Sequence, residues 1–478
     1  MKNSKIVKKH VIGITILTLL FSNAVTVSAA GKTIEAFKNN TYSGTSDCQV
    51  MINGVKSQDS SYTSLFKNKN SSPAISQSDF TGKSRCIKYW ASHGNNSGQL
   101  WGDSGVNFNI FNINNFKWSG SNLEFVFLAA CNQLDGANQN PRAKYANAMI
   151  GNKAVRVVCG YHEGAPQAGQ NHDAYVAQKF INKAKTGESV KSSWIQANQL
   201  YGNNYYCVLT HSGNVQYSRF PGFPGLTYTR PGSSSTTILR FSAANPGGTN
   251  QPLTSGGSSF NTFIQNIDIP NYSIKATNND ISVKSDVKTT VLKMDDYMTT
   301  QNGEIGDKKV QISDKKAVSM AKKWLTDVYS GVTIDDFKDA ELSVIPIVMA
   351  EVNLDGHSEK EIEVVVAYDI SFNSKFNGIP IKGDRYCAIV DDSGVSSSAV
   401  CHRNYVVIKN DDLKISNDKE IIREKLVSFG VNIEKIVNAS IMFMDEDGDG
   451  IFDPIISVRT SDGKTTMYNT ITGKLSVG

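Results

Sequence analysis

Four short runs dominated by apolar residues, at 86–91, 123–130, 154–159 and 205–210, alternate with segments of helical periodicity. Runs without polar alternation need cover on both faces, which is the condition of a mostly parallel sheet with helices on its two sides. The helical segments fall at 142–150, 172–185 and 189–200. In the middle one Tyr175, Val176, Phe180 and Ala184 make an apolar stripe beside Lys179, and Gly187 closes it. The sequence therefore predicts an α/β domain over 30–229. Sites in such sheets lie beyond the carboxyl ends of the strands. His93, just after the first run, and Cys131, just after the second, are thereby expected on one edge.

Beyond that domain the composition changes. Residues 230–262 are rich in Gly, Ser, Thr, Asn and Pro, including Pro231-Gly232-Ser233 and Pro246-Gly247-Gly248, and read as a linker or long irregular crossing. Residues 263–478 read as an α+β domain. A helix at 313–329 buries Ala317, Met320, Ala321, Trp324, Leu325 and Val328, and strands follow at 342–352, 362–372, 385–390 and 400–408. A second helix at 418–429 precedes strands at 439–444, 455–460 and 465–469. Helix then meander, twice, predicts two related units, and each flank of the linker is long enough for an independent domain.

The first 29 residues read as an export signal. Lys2, Lys5, Lys8 and Lys9 form a basic head, 11–21 an apolar core, and Val27-Ser28-Ala29 offers small residues for cleavage. An uncleaved anchor is the alternative. Removing the segment takes away four lysines and no acid, so the formal charge falls from +5 by 4 to +1. The mature chain then has no charge excess to favour nucleic acid or an anionic membrane, and it is expected to be secreted, extracellular or bound to the cell wall of a bacterium with Gram-positive-type export.

An exported chain with seven cysteines invites disulfides. Cys387 and Cys401 lie symmetrically about Gly394, so a hairpin turning near Ser393-Gly394 would set them face to face. Two free buried thiols are the other reading. Cys48, Cys86, Cys159 and Cys207 cannot be paired from sequence.

An apolar strand ending in His93-Gly94, followed by one ending in Ala130-Cys131, resembles the caspase-like clan of cysteine peptidases, which includes caspases, legumains, gingipains and clostripain. Thirty-seven positions separate His93 from Cys131, and the resemblance spans roughly 80–210. Papain-like enzymes fit less well, since their cysteine precedes their histidine. The resemblance implies Cys131 as nucleophile, His93 as general base and acid, and the N–H groups of Gly94 and Cys131 as oxyanion donors. It implies a protein or peptide substrate and no required cofactor. Asn132-Gln133-Leu134 departs from the caspase pattern after its cysteine, so a preference for aspartate is not implied, and no acid can be assigned to a specificity pocket. Taken singly, Cys131 also reads as a small buried residue and His93-Gly94 as an ordinary turn.

Other residues carry weaker signals. His162 and His172 flank a loop after the third strand and are read as solvated, with substrate or metal binding as the alternative. His211, after the fourth strand, is placed on the same edge as His93. Trp194 reads as core. Asp445, Asp447, Asp449 and Asp453 resemble the start of a calcium loop, but Ile456 stands where an EF-hand needs its bidentate glutamate, and a hairpin tip with solvated acids competes with it. Residues 367–391, with their Asn377-Gly378-Ile379-Pro380 turn, loosely resemble the PepSY-like modules of metallopeptidase propeptides. That resemblance implies a C-terminal domain that binds or restrains the peptidase domain. Two functions stand at this point: a secreted cysteine endopeptidase, or a secreted non-catalytic binding or structural protein on a degenerate peptidase fold.

Overall fold

The computed structural model describes residues 32–39, 46–68, 75–81, 86–101, 108–113, 116–118, 122–136, 139–166, 172–202, 204–225, 231, 236–244, 260–277, 281–283, 290–292, 298–299, 304–354, 361–401, 404–409, 418–445, 451–460 and 465–477. The export segment 1–29 lies outside them. Among the described residues no helix is long and apolar enough to cross a membrane.

Five strands form a parallel array. β1 (Thr33–Lys38) is flanked by β2 (Thr63–Asn68) and β3 (Ile87–Ala91). β3 pairs with β7 (Phe125–Ala129), and β7 with β8 (Val157–Tyr161). A small antiparallel ribbon, β4 (His93–Gly94), β5 (Gln99–Trp101) and β6 (Phe108–Asn109), grows from the end of β3. Alternation along the strands explains the layering. Ile87, Tyr89, Phe125 and Phe127 face α1 (Asp47–Gln58), α4 (His172–Lys185) and α5 (Val190–Tyr201), packing with Met51, Phe180 and Trp194. Trp90, Val126 and Leu128 face the other way, toward α2 (Gln77–Thr81) and α3 (Pro141–Gly151), with Phe80, Tyr145 and Met149. The chain is thus mixed α/β with helices on both sheet faces, and Trp194 is fully buried in the core.

β9 (Tyr206–His211) runs antiparallel to β8, with Tyr161 opposite Tyr206 and Val157 opposite Thr210. Two consecutive helices, α4 and α5, explain the reversal. One crossover helix returns the chain to the start of the next parallel strand; a second carries it back to the carboxyl edge. His211 therefore lies at the edge opposite His93, which corrects the expectation that the two share one. It is fully buried, and burial lowers its pKa to about 4.

The stretch expected to be linker contains β10 (Ile238–Ala243), so it is not linker throughout. β10 pairs with β9 on one side and with the strand Glu341–Glu351 on the other. The sheet therefore continues from the N-terminal into the C-terminal half through Glu341–Glu351, Val364–Phe376, Ile379–Asp391 and Gly394–Cys401, all antiparallel. Helix Asp314–Val328 packs on these strands, and helix Lys419–Ser428 on a second meander of Ile436–Met444, Ile451–Thr460 and Thr465–Asn469. Asn377 and Gly378 have φ of 48° and 82° and make the two-residue hairpin turn expected of Asn-Gly.

The Cys387–Cys401 bridge is not formed. The hairpin turns at Asp392-Ser393, with Asp391 opposite Gly394, and even after a one-residue register shift at Ile389/Val390 Cys387 faces Ala399 and Cys401 faces Arg385. Cys387 is a buried free thiol, as are Cys48, Cys86, Cys159 and Cys207. Of the calcium-loop acids, Asp447 and Asp449 lie outside the described residues. Asp453 sits in a strand, where its carboxylate accepts hydrogen bonds from Ser273 Oγ and from Asn469 Nδ2, the latter at 2.8 Å.

Candidate active site

Ala91 of β3 pairs directly with Ala129 of β7. His93 and Cys131 each lie two residues further on, at the carboxyl edge of neighbouring parallel strands about 4.8 Å apart. Ser92 N–H still donates to Ala129 O at 3.3 Å, so the pairing persists into the segment that carries the histidine. Contact continues past it. A Cβ built on Gly94 would lie 2.4 Å from Cys131 O, 2.8 Å from Gln133 Nε2 and 3.1 Å from Ala130 Cβ. Only a residue without a side chain lets the two strand ends approach this closely. Among the sequence candidates, His93, Gly94 and Cys131 are brought together.

Two further devices fix the edge. The His93 ring stacks on Trp101 across the ribbon, with centroids 5.6 Å apart and planes 26° from parallel. Gln133 is fully buried, and its Nε2 donates to Asn95 O at 3.3 Å, Gln99 O at 3.2 Å and Cys131 O at 3.4 Å. Its Oε1 accepts from the Tyr145 hydroxyl at 2.9 Å. One amide thus staples the histidine ribbon to the cysteine turn. The sequence named Gln133 only within the departure Asn132-Gln133-Leu134, with no role assigned; in the structure it follows Asn132, whose left-handed φ of 59° turns the chain.

Cys131 is half-buried, and desolvation raises its thiol pKa. The Ala165 N–H opposes that rise by donating to Sγ at 3.3 Å. A thiol in this state is mostly protonated near neutrality, so it needs a base to become a nucleophile. His162 belongs to the segment that supplies Ala165. It is half-buried, and burial lowers its pKa to about 4, so the ring is neutral near pH 7. His172 opens α4.

A family model described as "Domain of unknown function (DUF6345)" matches residues 57–219. The matched span holds His93, Gly94, Cys131 and Gln133. No curated protein matches the chain.

The same edge holds an acid pair that the sequence reading missed. Asp47 opens α1, which follows β1, and Asp173 stands in the first turn of α4. Asp47 accepts from the Tyr89 hydroxyl at 2.8 Å, and Tyr89 points to the α1 side of the sheet. Burial raises both carboxyls, and the proximity of Asp47 raises Asp173 further, against the pull of Lys38. The two acids are 126 positions apart (173 minus 47), so no spacing motif could have announced them.

Proposed function

We propose that this chain is a cysteine endopeptidase of caspase-like type, exported from the cell, with Cys131 as nucleophile and His93 as general base and acid. The observation that carries the reading is the Ala91–Ala129 pairing, which sets histidine and cysteine at equal offsets on adjacent strand ends. His93 takes the proton from Sγ as sulfur attacks the peptide carbonyl. The developing oxyanion is met by N–H groups of Gly94 and Cys131. The imidazolium then protonates the leaving amine as the C–N bond breaks, and water hydrolyses the thioester. These steps use the chain's own groups and require no cofactor.

The acid pair supports a substrate class. A buried and a half-buried carboxyl, both raised by desolvation and the second also by the charge of the first, are relieved by a cation. A lysine or arginine side chain next to the scissile bond would supply it. In this reading the C-terminal half does not take part in the chemistry but binds or restrains the domain that does.

Burial raising the Cys131 thiol favours the second reading, a non-catalytic binding protein. An electrophilic thiol probe separates the two. For a peptidase, labelling concentrates on Cys131, disappears in Cys131→Ala and weakens strongly in His93→Ala, and peptides with Arg or Lys before the cleaved bond outcompete those with Asp or Phe. Labelling spread over several cysteines and indifferent to His93 would sink the peptidase.

A further inference from the structure

The residue that orders the thiol's surroundings lies far outside the span that carries the dyad. Glu163 is the junction. Its carbonyl accepts the N–H of Asn132, the residue after the cysteine, at 2.7 Å, while Leu134 N–H donates to Tyr161 O at 2.8 Å and His162 N–H to Tyr205 O at 2.9 Å. Two residues beyond Glu163, Ala165 turns its N–H onto Sγ. The outer side of this segment is gripped by one side chain. Arg459 donates from Nη2 to Glu163 Oε2 and from Nη1 to the Tyr205 hydroxyl, both at 2.8 Å, and its guanidinium lies 5.7 Å from the Tyr205 ring centroid. Arg459 sits in strand Ile451–Thr460, which is paired on both sides within the second C-terminal meander, so its anchor is rigid.

We propose that Arg459 is a positioning residue for the Cys131 thiol: by clamping Glu163 and Tyr205 it holds the 161–166 segment so that the Ala165 N–H stabilises the thiolate. The C-terminal half then tunes the nucleophile without touching it. A planar guanidinium suits the task because it bonds a carboxylate and a phenol at once in fixed geometry. The titratable and charged groups on the elements around the thiol are His93 on the adjoining strand end, His162 and Glu163 on the segment itself, Arg459 behind it, and Asp47 and Asp173 at the starts of α1 and α4 on the same edge. The inference concerns the state of the thiol in the reading above but does not depend on peptide cleavage.

The test follows iodoacetamide alkylation of Cys131 against pH in the full-length chain, quantified on the Cys131-bearing peptide. Arg459→Ala should move the midpoint upward and slow alkylation at pH 7, by about tenfold if the midpoint rises one unit. Arg459→Lys should recover part of the shift, and Glu163→Gln should shift the midpoint the same way. The displacement should persist in a His93→Ala background, which separates the clamp from the imidazole. If Arg459→Ala does not fold, Glu163→Gln and Tyr205→Phe carry the same prediction from the other end of the clamp. An unchanged midpoint in folded clamp variants overturns the proposal, whether or not the protein cleaves peptides. A shifted midpoint in a protein that cleaves none leaves the clamp standing and removes the peptidase.

Discussion

Gly94 stands so close to Cys131 that a methyl group on residue 94 would come within 2.4 Å of the cysteine's carbonyl oxygen. The obstacle is backbone rather than a flexible side chain, so the strand ends themselves would have to part. Gly94→Ala should therefore displace the histidine ribbon from the cysteine turn. A misplacement on the order of 1 Å costs about 100-fold in a reaction that depends on near-attack geometry. Thiol-probe labelling of Cys131 in Gly94→Ala is expected to fall by that order, while circular dichroism stays that of the parent. Labelling at the parental rate would mean that the two strand ends do not act together.

Gln133 makes the complementary case, where the contact is polar. Replacing it with leucine leaves the carbonyls of Asn95, Gln99 and Cys131 and the Tyr145 hydroxyl short of a partner at a buried position. A buried group deprived of its hydrogen bond costs about 1–3 kcal/mol. Gln133→Leu should lower unfolding stability by at least that amount in urea titration. Tyr145→Phe, which frees only Gln133 Oε1, should cost less, and the double variant should be less damaging than the sum of the two. Strict additivity would show that the amide and the phenol are not one network.

How much of this was legible depended on whether a residue's role was local. β3 and β7 were readable because apolar runs on both faces of a strand have few other uses, and the offset of His93 and Cys131 came with them. β1, an interior strand of the parallel array between β2 and β3, was not. It is six residues long and carries Glu35 and Lys38, and α1 behind it opens on the buried Asp47 and holds Gly54 in mid-helix. The direction of β9 followed from two helices in succession, a long-range feature that an apolar run does not encode. The register at Cys387 turned on where the hairpin reverses, at Asp392-Ser393 and not at Gly394, and on a one-residue bulge, neither of which the spacing of the cysteines reveals. Glu163 and Arg459 meet across 296 positions, and no pattern joins them.

Arg240 tests whether β10 unites the two halves. It lies nearly buried in that strand, with Nε 2.8 Å from Glu361 and Nη2 2.7 Å from Glu363, while Arg142 reaches Glu361 at 3.1 Å. Removing one partner from a buried ion network leaves uncompensated charge and typically costs about 3–5 kcal/mol. Glu363 is about a third exposed, so the lower end applies, roughly 3 kcal/mol. Arg240→Leu should destabilise both halves together, seen as one earlier transition by tryptophan fluorescence and by protection of C-terminal amides. Early melting of the C-terminal half alone would mark 230–262 as a true linker.

Asp173 ties stability to pH in a direction that differs from the ordinary surface carboxylate. Burial, with the Asp47 charge beside it, holds its pKa up at about 8. The folded chain therefore keeps a proton that the unfolded chain has lost above pH 4, so folding takes up a proton across that interval. Stability from this group is fully present below the unfolded pKa and is lost as pH rises toward 8. Asp173→Asn removes the titration, and the fall in unfolding free energy between pH 5 and pH 8 should shrink by roughly 3–4 kcal/mol. Asp47→Asn should lower the pKa of Asp173 by relieving repulsion and flatten the same slope in part. A cationic peptide bound at the pair should drive the Asp173 proton off, so calorimetric binding heats at pH 7 should differ between buffers of low and high ionisation enthalpy. Identical heats in the two buffers, with the stability slope unchanged in Asp173→Asn, would place the acids outside the substrate path and leave them as ordinary buried carboxyls.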